Sequence, residues 1–95
     1  MKYVYAALFT PCAEGGYDVR FPDLEVNTQG NDLHDALYMA EALLNEWLEY
    51  LSDKKQPIPA ASPMSAIKPD DGQFVTLIRA EVGEVMFSAE VAVSA

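Results

Sequence analysis

Ninety-five residues, 51% hydrophobic and 22% charged, describe one globular domain near the small end of what buries its own core, and exclude a disordered chain. Fifteen acids against six bases give a formal charge of −9, which excludes an extended phosphate-binding surface and suits a basic protein partner or plain solubility. One cysteine, Cys12, allows no internal disulfide; with no long apolar run at the N-terminus and none of membrane-spanning length, the expected location is the cytoplasm.

Residues 2–9 (KYVYAALF) read as a strand rich in aromatic and branched side chains. Tyr3, Tyr5, Ala7 and Phe9 share one face, and Val4, Ala6 and Leu8 share the other. Both faces are apolar, so the strand is expected to be central and covered on two sides. Residues 11–16 (PCAEGG) form a turn, and 17–21 (YDVRF) alternate strictly, with Tyr17, Val19 and Phe21 inward. The two strands make a hairpin. Residues 24–29 (LEVNTQ) form a weaker strand at a sheet edge, ended by Gly30.

The dominant element is 31–52 (NDLHDALYMAEALLNEWLEYLS). Leu33, Ala36, Leu37, Ala40, Leu43, Leu44, Trp47, Leu48 and Leu51 recur at threes and fours, the spacing of one helical stripe. Asp32 is a fitting N-cap, with Asp35 three residues on as its capping-box carboxylate. Residues 53–72 hold Pro57, Pro59, Pro63 and Pro69 and predict an extended crossover anchored by Ile58, Met64 and Ile67. Residues 73–82 (QFVTLIRAEV) are a strong strand, with Phe74, Thr76, Ile78, Ala80 and Val82 on one face. Residues 85–93 (VMFSAEVAV) alternate again.

This order predicts an α+β fold, β-β-β-α-β plus a C-terminal strand, in which one long helix covers one face of the sheet. A strand–helix–strand crossover to the first strand makes that contact parallel and the sheet mixed. Residues 1–82 form the domain and 83–95 an oligomerisation element. One helix covers one face only, so a second subunit is expected over the other.

The segment Gly16-Tyr17-Asp18-Val19-Arg20-Phe21-Pro22-Asp23-Leu24 resembles the G-x-x-V-x-F-P-D-L signature of HicB-like antitoxins. Thr28-Gln29-Gly30-Asn31-Asp32-Leu33-His34-Asp35-Ala36 is similar to that family's T-x-G-D-(S/T)-x-E-E-A helix start. Gln56-Pro57-Ile58-Pro59-Ala60 and Gly72-Gln73-Phe74-Val75 resemble its P-I-P linker and G-x-F-V strand. The resemblance runs from residue 2 to about 79. It implies a partial ribonuclease-H-like fold without nuclease activity, paired with a small basic mRNA-cleaving toxin, HicA. Two departures stand out. The family's P-G-C-type turn is shortened to Glu25-Val26-Asn27, and residues 85–95 carry no Lys or Arg where family members append a DNA-binding segment. Direct nucleic-acid binding is therefore not expected.

Two-metal nuclease chemistry needs carboxylates converging on cations roughly 4 Å apart. Asp18 points outward from its strand, while Asp23, Asp70 and Asp71 lie in turns, where solvation explains them. His34 is the sole histidine and Cys12 has no base beside it, so neither two-histidine nor thiolate catalysis is expected. The expected function is a non-enzymatic antitoxin that neutralises a basic HicA-like toxin by occlusion, without cofactor, metal or membrane. The alternative is a stand-alone oligomeric structural or regulatory domain. Candidate toxin contacts are Glu41, Asn45 and Glu49 on the outward helix face; candidate self-association residues are Val85, Phe87, Val91 and Val93.

Overall fold

The computed structural model describes residues 1–82. Three strands, β1 (Lys2–Pro11), β2 (Tyr17–Phe21) and β3 (Val26–Gly30), precede the helix α1 (Leu33–Asp53). A single 3₁₀ turn (Met64–Ala66) and strand β4 (Phe74–Glu81) follow it. Among the described residues the sheet order is β3-β2-β1-β4, so β1 is central and β3 and β4 flank the described sheet. The expected oligomerisation element at 83–95, with Val85, Phe87, Val91 and Val93, lies outside the described residues.

The α+β architecture with one long helix on one face is found. The strand sense is not as expected: β1 pairs with β4 antiparallel, Lys2 opposite Glu81 and Phe9 opposite Phe74, and every pairing in the sheet is antiparallel. The parallel expectation assumed that the strand follows the helix directly. Here α1, about 31 Å long, runs back along β3, and residues 54–73 then return before β4 begins. Fully extended, that segment reaches about 65 Å, twice the length needed. It is held along the way. The Tyr5 hydroxyl donates to the Pro59 carbonyl, Ser62 bonds Asp23, and the Gln73 amide donates to Thr10 Oγ1 at 3.0 Å, so β4 starts beside the end of β1.

The core lies between α1 and the sheet. Tyr5, Ala7 and Phe9 of β1, Val19 and Phe21 of β2, and Ile78 and Ala80 of β4 face Ala36, Ala40, Leu44 and Leu48. The small Ala36 and Ala40 let the helix approach the sheet closely, and Leu44 and Leu48 fill the wider end. Phe9 stacks on Phe74 at 5.0 Å between ring centres, with Tyr17 edge-on to both.

Two helix positions depart from the expected inward stripe: Leu33 and Leu37 are exposed. The sheet takes the line 36–40–44–48, and a first-turn residue and a flanking residue fall beside it. Of the three expected linker anchors, Ile58 packs on the core and Ile67 is half-buried, whereas Met64 is exposed in the 3₁₀ turn. On the sheet face away from the helix Ala6 is buried, while Val4 and Leu77 are about half exposed, 48% and 53%.

Candidate partner-docking face

The outward face of α1 is set at its first turn. The Asp35 N–H donates to Asp32 Oδ1 at 2.7 Å, and the Asp35 carboxylate reaches back to the Asn31 N–H at 2.8 Å. The capping carboxylate thus serves the residue before the N-cap, which ties the helix start to the end of β3. At the other end Lys55 takes φ 55°, and the Gln56 N–H closes on the Leu51 carbonyl at 2.9 Å, a left-handed cap made without glycine.

Between these caps the helix carries Asp35, Glu41, Glu46, Glu49 and Asp53 and no Lys or Arg. Glu41 and Glu49 are exposed and lie two turns apart on one line. Leu37 and Tyr38 stand open one turn before Glu41, and Tyr50 stacks on the half-buried Trp47 at 5.3 Å. The result is an acid-only helix face with exposed apolar side chains at both ends.

Asn45, the third expected contact, is half-buried and has internal partners. Its Nδ2 donates to the Glu41 carbonyl at 2.8 Å, and its Oδ1 accepts the Glu81 N–H at 3.1 Å. It joins the helix face to the end of β4, a contact 36 residues apart that no local sequence pattern signals. Glu41, Asn45 and Glu81 also line one groove with Lys2, Val4 and Arg79.

Of the other chemistry-bearing side chains, His34 shares the outward side of α1 with Tyr38 and Glu41, while Tyr5 and Cys12 lie on β1 and just after it. His34 is exposed in the first turn of α1. Partial burial and the nearby Asp18 and Glu14 carboxylates push the Cys12 thiol up, which disfavours the thiolate. Among the described residues no group of three or more His, Cys, Asp or Glu could hold a metal ion. Burial, with Tyr3 and Asp23 nearby, pushes the Tyr5 hydroxyl up, consistent with its role as a neutral donor to Pro59.

Asp23 of the F-P-D-L turn has a structural role that the sequence did not reveal. Its two carboxylate oxygens accept from the Ser62 N–H and hydroxyl, both at 2.7 Å, and so latch the linker to the β2–β3 turn. Bonds to a charged acceptor are each worth roughly 1.5–3 kcal/mol. Replacing Asp23 by Ala is therefore expected to cost about 2 kcal/mol in urea unfolding, and an unchanged midpoint would mean the latch contributes nothing.

Residues 4–74 match the family described as HicB-like antitoxin of bacterial toxin–antitoxin systems. The chain belongs to the HicB-like antitoxin family. One relative, Antitoxin HicB 1 of Photorhabdus laumondii subsp. laumondii, is 38% identical over 61 residues, 63% of this chain and 39% of that protein. The chain thus spans about two fifths of that relative's length. A solved toxin–antitoxin complex from Streptococcus pneumoniae holds a chain of the same fold, with TM-score 0.76 and 20% identity over 96% of this chain and 80% of that one. This HicB-like domain therefore keeps its fold at low identity, and the helix face and F-P-D-L latch described above lie within the matched region.

Proposed function

We propose that this HicB-like chain is the antitoxin of a HicA-type pair: it catalyses nothing itself and covers the RNA-cleaving face of a small basic toxin. The observation that carries the reading is the face of α1, twenty-one residues with five acids, no base, and Leu37 and Tyr38 open beside Glu41. Acids in that number speed encounter with a basic protein, while exposed apolar side chains supply contact once docked. Glu41 and Glu49 are the charged contacts in this reading, and Asn45 holds the helix and β4 in register beside them. Family membership and the complex from Streptococcus pneumoniae support a toxin as the partner.

The reading requires a small basic protein encoded beside this gene, and the test uses it. Co-expression is expected to relieve its growth arrest, and an equimolar amount of the purified antitoxin should stop its cleavage of RNA. The antitoxin alone should leave RNA intact with Mg²⁺ or Mn²⁺ present. Undiminished cleavage at a tenfold excess of antitoxin, or no complex on a sizing column, would overturn the reading and leave the stand-alone oligomeric domain in its place.

A further inference from the structure

In an antiparallel sheet, residues directly opposite one another share a face, so the register identifies the side away from α1. Ala6 stands opposite Leu77, and Leu8 stands opposite both Val75 and Arg20. With Val4 opposite Arg79, they form a strip of aliphatic side chains along the middle of that face, and Val4 and Leu77 are about half exposed. Exposed bases stand at its margins. Lys2, Arg20 and Arg79 all lie on this face, half of the six basic residues of the chain, against Asp18 and Glu81 of its fifteen acids. A chain of net charge −9 thus holds a small excess of positive charge around an apolar strip.

Such a face selects its occupant by charge. A basic partner would meet three cations on it, and a second copy stacked face to face would set the same three against their own kind. An apolar segment with acids and no base fits. Residues 83–95 have that chemistry: Val85, Phe87, Val91 and Val93 recur at even spacing, with Glu84 and Glu90 and no Lys or Arg. The Val82 N–H bonds the Met1 carbonyl at 2.8 Å, so the chain leaves β4 at the corner where Lys2 and Val4 begin the strip. Thirteen residues can span about 43 Å, whereas the strip from Val4 to Leu8 is only about 14 Å long.

We propose that residues 83–95 turn back over the sheet of their own chain and cover this strip. Phe87 and the valines at its spacing lie on Val4, Leu8 and Leu77, and Glu84 and Glu90 meet the bases at the margins. Gly83 stands at the point of reversal, where the backbone must turn out of the sheet. The cover supplies within one chain what the two apolar faces of β1 require. The proposal does not depend on the toxin reading, because it uses the sheet face turned away from the acid-only helix.

The test uses full-length protein carrying Cys12→Ser and Leu77→Cys, with iodoacetamide as the probe of the introduced thiol. Position 77 is expected to be shielded. Adding Phe87→Asp with Val91→Asp should speed its alkylation at least about tenfold, because the lost burial of one large side chain opens the cover by that factor or more. The rate should be the same at about 1 and 100 μM protein, since the cover belongs to the same chain. Trp47 packs against the core, so its unchanged fluorescence marks the fold as intact in each variant. Alkylation that is equally fast with and without the substitutions at 87 and 91 would overturn the proposal. So would shielding that disappears on dilution, which would assign the strip to a second copy.

Discussion

Replacing Gly30 by Ala is expected to cost this protein more than about 3 kcal/mol, enough to unfold much of it at 37 °C. A Cβ at Gly30 would stand 2.3 Å from the Ala36 nitrogen, 2.5 Å from its Cα and 2.8 Å from the Asp35 carbonyl carbon. All three are backbone atoms of the first helical turn, which the Asp32 and Asp35 caps hold in place. No rotamer change relieves the clash, so the helix must lift from β3 and uncover Ala36 and Ala40, both fully buried. Gly15 supplies the control. It has φ 99° with nothing within 4 Å of an added Cβ, so Gly15→Ala carries only backbone strain of about 1–2 kcal/mol. Urea unfolding of the two variants beside the parent separates the effects. If Gly30→Ala melts no lower than Gly15→Ala, the close approach of helix and β3 is not the constraint described here.

Gly30 also marks how far the sequence alone could reach. Its place between a strand pattern and an N-cap predicted a break, and β3 does end at Gly30. The need for glycine there comes from Ala36 six residues on, packed against it, which no local propensity encodes. Side-chain alternation placed Tyr5, Ala7, Phe9, Val19 and Phe21 in the core, because period two is fixed by strand geometry alone. Helical periodicity found the buried line 36–40–44–48 but also claimed Leu33 and Leu37, since it gives the direction of a stripe and not the width of the sheet beneath it. The sense of β4 was illegible for a different reason. It depends on where the linker is fastened, through Tyr5 to Pro59 and Asp23 to Ser62, and those pairs are 54 and 39 residues apart. Exposure of Glu41 and Glu49 followed from periodicity; the internal engagement of Asn45 did not, because its partner Glu81 lies on another element.

The helix face makes a second large prediction. Reversing Glu41 and Glu49 together to Lys adds two charge units at each site and takes the net charge from −9 to −5. Both side chains are exposed, so the free protein should keep its stability within about 0.5 kcal/mol. Association with the basic toxin proposed above as its partner should slow roughly 10–100-fold at low salt, since opposed fields change encounter rates on that scale. The deficit should shrink above about 0.15 M salt, where the screening length falls to about 8 Å. A matched variant, Glu14→Lys with Glu25→Lys, makes the same change in net charge at exposed positions on the two hairpin turns. Stopped-flow association at several ionic strengths compares them. A local docking face requires the helix pair to slow binding well beyond the turn pair. Equal slowing would mean that total charge does the steering, and no slowing in either would move the toxin contact off α1.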